Sequence, residues 1–385
     1  MAKNMHKKTF SEETKLKLDI FRECFREWLP VFVQQTFWKK LYIYDFFAGS
    51  GYDIDGTPGS PIILLEESKG EKLTYCNSIK KSGKEVKFIF NEHEQTKKQC
   101  KFEELKANIE KFIKKCKTDN NCNNCCFDIQ VCNIDFGKEF KTDANIQKII
   151  QDTKNGKFII LDQYGFTQVD SQVFKTLVNA PHTDFIFFIS SSFLKRFKEH
   201  PVSKKFIGDG NLSFDEESNP KECHQVIVKY FESMIPLNKE YYLNHFTIKK
   251  GSNYYGLIFG TAHTLGMEKF QRVCWNEDIR AGESNCNTQN DFETNTLFGH
   301  LETNKIHDVK EKLTNEVLSG KITDNINGLK RALSLRCMPI VFTETIKDLE
   351  RRKIIKRTGC KGYKSTGIHN IKVNQEDYYT INILQ

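Results

Sequence analysis

Apolar residues recur along this chain in two periods. From Thr9 to Trp38 they come at three-four spacing, through Ile20, Phe21, Cys24, Phe25, Trp28 and Leu29. That spacing predicts an amphipathic helix or helix pair, capped by Thr9 and Glu12 and interrupted at Pro30. Short runs with no polar alternation follow at Leu41–Tyr44, Val86–Phe90, Phe127–Val131, Phe158–Leu161 and Phe185–Ile189. Strands of this kind are apolar on both faces, as in a parallel sheet covered on both sides. Segments of helical period such as Gln95–Lys115 separate them, so the pattern predicts a doubly wound α/β sheet. From Tyr241 the stretch "YYLNHFTIKKGSNYYGLIFGTAH" reads as two strands around a Gly-Ser-Asn turn, which predicts a terminal antiparallel hairpin.

Residues Asp278–Asn304 are polar and rich in Gly and Asn, the character of a linker. Beyond them, helical patterns at Ile306–Leu318, Asn325–Leu335 and Val341–Arg352 precede "IIKRTGCKGYKSTGIHNIKV", a strand, a basic Gly-rich turn and a second strand. Three helices and a hairpin predict a winged helix-turn-helix. The expected organisation is a helical segment over 1–40, an α/β domain over 41–277, a linker over 278–304 and a winged domain over 305–385. A chain of 385 residues is long for one core, which agrees with two domains.

Composition adds a few limits. The apolar share is 38%, and 31 phenylalanines supply enough ring surface for a buried interior, which excludes a disordered chain. A net charge of +8 suits a nucleic-acid partner but equally a lysine-rich soluble surface. No run reaches eighteen apolar residues, and the N-terminus lacks the apolar core of a signal peptide, so a cytoplasmic protein with no membrane partner is expected. Thirteen cysteines in such a chain read as reduced thiols. Cys122 and Cys125 in "CKTDNNCNNCCF" have zinc-knuckle spacing, but no second pair stands at a matching distance. Cys116, Cys122, Cys125 and Cys126 are therefore read as part of a polar surface insertion, and no metal is assigned.

The candidate chemistry lies at the ends of the predicted strands. In an open α/β sheet, ligands bind beyond the carboxyl ends of the strands at the switch point. There "YIYDFFAGSG" places Asp45 before Gly49 and Gly51, without the GxGxxG or P-loop pattern that cradles phosphates. A carboxylate and a glycine turn suit a ligand with an amino-acid end and a nucleoside, which leans toward S-adenosylmethionine. Glu92 follows the second strand, Asp135 the third and Asp162 the fourth. Ser60 and Pro61 open the next helix, Ser60 as N-cap, leaving Tyr52–Ser60 as a long and functional loop.

The stretch "YIYDFFAGSGYDIDGTPGSPIILLEES" resembles the signature of the three-Cys-motif partner protein family, a strand, then D-x-F-A-G-x-G, a loop, and G-S-P opening a helix. More broadly, DFFAGSG is similar to motif I of class I S-adenosylmethionine-dependent methyltransferases. The likeness continues through "TDFIFFISSSFLKRF" and "HTLGMEKFQRVCWN". It implies a Rossmann-like methyltransferase fold in a bacterial two-protein cassette, associated with mobile elements or phage defence, with a radical-SAM-like three-Cys-motif protein as partner. Carried over by position, Asp45, Phe47, Ala48, Gly49 and Gly51 would border the methionine part of the cofactor. Glu92 would take the ribose and Asp135 the adenine amine. Asp162 would hydrogen-bond the nucleophilic nitrogen of a nucleic-acid substrate, with Tyr164 or Phe166 stacking on its base. The chain reads Asp-Gln-Tyr-Gly where amino-methylating relatives have D-P-P-Y, so an inactive adaptor that binds DNA or RNA is the alternative. The basic stripe of the tail, which includes Arg351, Arg352, Lys356 and Arg357, would contact phosphates.

Overall fold

The computed structural model describes residues 8–94, 100–207, 212, 222–286, 304–360, 368, 371 and 377–384. The first helix, α1 (Glu12–Gln34), runs straight through Pro30. Its start also differs from expectation. Ser11 stands at the N-cap, and Thr9 instead donates its hydroxyl to Asp55 at 2.6 Å. Proline costs a helix about 3 kcal/mol in isolation, but here Trp28, Leu29 and Val33 on either side of it are buried. Burying side chains of that size returns about 1.5–3 kcal/mol each, so packing outweighs local preference.

Strand β1 (Lys40–Asp45) leads to α2 (Ser60–Lys69) and α3 (Thr74–Ser82), and β2 (Glu85–Asn91) to α4 (Lys101–Asp119). Next come β3 (Phe127–Cys132), α5 (Phe136–Thr142), α6 (Ala144–Ile150), β4 (Asn155–Leu161), α7 (Ser171–Asn179) and β5 (Thr183–Ile189). Short helices α8 (Ser191–Arg196) and α9 (Pro201–Ile207) precede α10 (Glu222–Glu232), β6 (Tyr242–Lys250), β7 (Asn253–Thr261) and α11 (Thr264–Glu277). Residues 95–99, at the start of the predicted Gln95–Lys115 segment, and most of the predicted 278–304 linker lie outside the described residues.

The seven strands form one sheet in the order β3-β2-β1-β4-β5-β7-β6. Pairings from β3 to β5 are parallel, with Ile43 level with both Phe88 and Phe158, and β7 runs antiparallel to β5. The order reverses between β1 and β4, which makes that gap the switch point. Helices cover both faces of the sheet. On one face Phe25 and Trp28 of α1 pack on Phe158, and Phe25 also meets Phe88. Trp28 there donates to Asp184 at 2.9 Å. On the other face Phe174 of α7 meets Phe185, and Phe231 of α10 meets Phe187. This is the doubly wound sheet with an antiparallel end that the pattern predicts.

Contacts divide the chain into two units, one of residues 1–239 with 247–260 and the other of 240–246 with 261–385. In the second unit α12 (Asn304–Leu318), α13 (Asn325–Ser334) and α14 (Pro339–Arg351) pack on one another, Gly328 lying so close to the Phe342 ring that no side chain would fit. Strand β8 (Ile355–Gly359) pairs antiparallel with β9 (Tyr379–Ile383). A second strand is expected within Ile368–Val373, whereas the described partner of β8 is Tyr379–Ile383. Ile368 and Ile371 are helical, and the other residues of that stretch lie outside the described residues. Asp324 bridges Thr380, and the Ile381 N–H donates to Thr323 at 2.8 Å, so the hairpin is tied to the start of α13.

Candidate functional site

The carboxyl ends of β1, β2 and β4 meet at the switch point, and a buried asparagine holds two of their exits together. Asn91, the last residue of β2, donates to the Phe46 and Ile134 carbonyls at 3.1 and 3.0 Å and accepts from the Ile134 N–H at 2.9 Å. Its own carbonyl accepts from the Ala48 N–H at 2.9 Å. Asn91 was not singled out in the sequence. An amide at the end of an apolar strand, one residue before the acid Glu92, was the available signal.

Asp45 ends β1 and is fully buried. One carboxylate oxygen accepts from the Phe47 N–H at 3.2 Å, and the other makes no hydrogen bond among the described residues. Burial pushes its pKa up to about 7, against the pull of the Ser60 hydroxyl and the Phe47 N–H, while Asp162 and Glu92 nearby push it further up. An ionisable group held in this state is a candidate for charge exchange with a ligand.

The glycine turn follows at once. Gly49 and Gly51 have φ of 65° and 91°, the left-handed region where a side chain is strained. The Gly49 N–H donates to Glu92 at 2.8 Å, so the acid after β2 closes over the turn after β1. Glu92 is largely buried, and burial raises its pKa, with Lys101 at 3.6 Å and the Gly49 N–H opposing. The turn is fastened to the next helix by the Gly59 N–H, which donates to the Gly51 carbonyl at 2.7 Å. Gly59, and not Ser60, is the N-cap of α2, and a Cβ at residue 59 would sit 3.2 Å from the Gly51 oxygen. Ser60, moved inside the helix, is thereby placed next to Asp45.

Within the loop Tyr52–Ser60, Asp53 acts as an internal staple. It accepts N–H donors from Phe10, Asp55 and Thr57 at 2.9, 3.0 and 2.7 Å. Burial works to raise its pKa, but these donors outweigh it and hold Asp53 below the ordinary aspartate range.

Asp162 follows β4 directly, and its carboxylate is engaged. The Lys17 ammonium of α1 contacts it at 2.5 Å, and both side chains are largely buried. Lys17 also lies over the Phe188 ring at 4.7 Å, and Tyr255 stacks on Phe188 with ring centroids 5.5 Å apart. Lys17 is a site-edge residue that sequence reasoning missed, since a lysine on an amphipathic helix carries no sign of its partner 145 positions away. Gln163, at the position of the first proline of the D-P-P-Y pattern, is buried. Its carbonyl oxygen accepts from the Gln168 and Val169 N–H groups at 2.8 and 3.3 Å, and its amide nitrogen has no partner among the described residues.

The aromatic candidates separate. Tyr164 is 72% exposed beside Gly165, which has φ of 87°. Phe166 is buried, with Phe193 and Phe206 at centroid distances of 5.7 and 5.3 Å, so it is a packing residue and not a stacking platform. Phe166→Ala is expected to cost about 3–5 kcal/mol of stability, checked by denaturant unfolding, and to leave nucleic-acid affinity unchanged. Phe47 packs on Phe136 at 5.2 Å, and Ala48 is buried. Asp135 caps α5 through the Gly137 N–H at 3.1 Å and keeps its carboxylate partly open.

Of the basic tail, Arg357 is committed to the fold, donating to Glu350 at 3.0 Å over the Tyr379 ring. Arg331 is likewise held by Glu316 in a two-pronged pair at 2.7–3.1 Å. Arg351 and Arg352 share Asp348 and stay 80% and 60% exposed, and Lys356 is exposed.

No family model matches this chain, and no curated protein matches it. Among solved structures, a Klebsiella pneumoniae protein assigned as an O-methyltransferase aligns with a TM-score of 0.30 at 8% identity, over 66% of this chain and 90% of that one. Trm1 from Pyrococcus horikoshii, in complex with S-adenosyl-L-methionine, aligns with a TM-score of 0.36 at 10% identity, over 91% of this chain and 88% of that one. Likenesses this distant carry no functional weight. Among the described residues no helix is long and apolar enough to cross a membrane.

Proposed function

We propose that this chain binds S-adenosylmethionine at the switch point and transfers its methyl group to a nucleic acid. The observation that carries this reading is Asp45, a buried carboxylate with one unfilled oxygen, set at the end of β1 beside a glycine turn that Glu92 closes. The donor set suits the cofactor. A carboxylate answers an ammonium, Glu92 offers the lone pairs that remain beside its Gly49 N–H and Lys101 contacts to a ribose hydroxyl, and Asp135 offers another acceptor to an exocyclic amine. When bound, S-adenosylmethionine supplies an electrophilic methyl on a sulfonium. The chain's own part is to hold the acceptor in line near Asp162, a task of orientation more than of proton transfer. Calorimetry of the full chain with S-adenosylhomocysteine tests the binding step, and the absence of heat overturns the reading.

The strand order, with an antiparallel strand inserted beside β5, supports the class I methyltransferase expectation. The finer placement, a three-Cys-motif partner in a bacterial two-protein cassette, rests on sequence resemblance, in the DFFAGSG and GSP stretches and in TDFIFFISSSFLKRF and HTLGMEKFQRVCWN.

A second reading, a nucleic-acid adaptor without methyl transfer, is favoured by one observation. Asp162 is already paired with Lys17 and so is not free to receive an acceptor nitrogen. Labelled methyl appearing on DNA or RNA separates the two readings.

The winged-helix reading of the tail assigns phosphate contact to Arg351, Arg352 and Lys356, the exposed cations at the end of α14 and in β8. Arg351→Glu with Lys356→Glu is expected to lower the salt slope of nucleic-acid binding by about 2. Filter binding across a salt series measures it. Arg357→Glu is expected instead to destabilise the tail.

A further inference from the structure

The carboxyl end of β5 opens on the same rim of the sheet as the candidate site, because β5 lies beside β4 and runs parallel to it. Where β1, β2 and β4 leave the sheet through acids, β5 leaves it through rings and cations. Residues 195–205 carry five Lys or Arg against one acid, Glu199. Two surface phenylalanines stand with them. Phe193 is 46% exposed and Phe197 40%, and their ring centroids are 4.5 Å apart.

This exit is fixed to the one that carries Asp162. The Ser190 N–H donates to the Gly165 carbonyl at 2.9 Å, and the Tyr254 N–H donates to the Ser192 hydroxyl at 2.6 Å, which sets the start of α8 against the β4 exit and β7. Across that tie the Phe193 ring lies 5.7 Å from that of Phe166, two positions after the exposed Tyr164. Arg196 donates to the Asn253 side-chain oxygen at 2.6 Å, a neutral partner that orients the guanidinium without cancelling its charge. Lys204 pairs with Glu199 at 3.0 Å, both well exposed, so the segment as a whole stays positive. One exposed phenylalanine is ordinary on a surface. Two in ring contact among cations offer flat faces to bases and positive charge to phosphates.

We infer that the β5 exit, centred on Phe193 and Phe197, is a docking surface for single-stranded nucleic acid that leads an unpaired base toward Asp162. A double helix keeps its base faces stacked and out of reach, so these rings add nothing to duplex binding. The substrate class narrows to unpaired DNA or RNA. The inference rests on the nucleic-acid reading above and is independent of methyl transfer.

The test is fluorescence anisotropy of the full chain with short labelled oligonucleotides of mixed sequence, as single-stranded DNA, as single-stranded RNA and as duplex DNA. At least one single strand is expected to bind about 10-fold tighter than the duplex, and the two single-strand arms show which sugar is preferred. Phe193→Ala and Phe197→Ala are each expected to weaken single-strand binding about 10-fold and to leave duplex binding unchanged. Phe197→Trp keeps a flat face, so it should retain affinity, and its added indole fluorescence should be quenched by the single strand. Arg196→Gln with Lys205→Gln is expected to lower the single-strand salt slope by about 1.4. Equal affinity for strand and duplex, unchanged when the rings are removed, overturns this inference and leaves the nucleic-acid reading standing. Failure to bind any nucleic acid overturns both. Single-strand binding without heat from S-adenosylhomocysteine supports the inference while removing the cofactor reading. A dimer in sedimentation that Phe193→Ala with Phe197→Ala takes apart overturns it, since a second copy of this chain then covers the rings. If an alanine variant fails to fold, the affinity and quenching of Phe197→Trp decide.

Discussion

Asp45→Asn is expected to weaken S-adenosylhomocysteine binding about 150-fold while raising thermal stability at pH 8. The loss follows from removing the carboxylate that answers the ligand's ammonium, worth about 3 kcal/mol for a buried charge pair. The gain follows from linkage. Asp45 has its pKa pushed from the ordinary aspartate value up to about 7 in the folded chain. Between those two values the folded state holds a proton that the unfolded state has released. Stability therefore falls as pH rises through this window and levels off above about 7. Asparagine carries no charge to desolvate, so the variant and the parent chain should converge in stability near pH 4 and diverge toward pH 8. A pH series of melting curves beside calorimetry at pH 8 checks both halves. Unchanged affinity removes Asp45 from the site, and a lower melting temperature at pH 8 contradicts the burial cost assigned to it. The same linkage makes ligand binding proton-coupled near neutrality, with a proton released on binding below pH 7.

Lys17→Met carries the second large effect. It leaves Asp162 with its charge largely buried and its partner gone, and breaking such a pair costs about 3–5 kcal/mol. The double variant Lys17→Met with Asp162→Leu is expected to recover most of that loss, since a matched apolar pair removes both desolvation penalties. Equal destabilisation in the single and double variants would show that α1 is held by its aromatic face alone. Lys17→Met also bears on function. If Asp162 must be free to receive an acceptor group, methyl transfer by the surviving folded fraction should rise. If the pair itself positions the acceptor, transfer falls while S-adenosylhomocysteine affinity is kept.

Much of the architecture was legible because it is written in local pattern. Unbroken apolar runs at Leu41, Val86, Phe158 and Phe185 allow little besides strands covered on both faces, and the two-residue Gly251-Ser252 connection between β6 and β7 permits only a hairpin. Element boundaries were less legible where tertiary packing overrode local preference, as at Pro30 and at Ser60. The unexpected partner of β8, Tyr379–Ile383, has a similar cause. Strand pairing is decided by which segment the chain brings alongside, and the nearest β-like segment in sequence was not the one.

The amino-acid sequence by itself determined which acids end which strands, because a strand's end is a local event: Asp45, Glu92, Asp135 and Asp162 stand where the apolar runs stop. Only the tertiary structure decided how those acids are employed. Asp45 is desolvated, Glu92 closes the Gly49 turn, Asp135 caps a helix, Asp162 is claimed by Lys17, and Cys76 lines one cavity with the distant Cys116, Cys122, Cys125 and Cys126. The state of a charged group depends on its nearest neighbours in space, and those come from segments whose separation along the chain leaves no trace in local pattern.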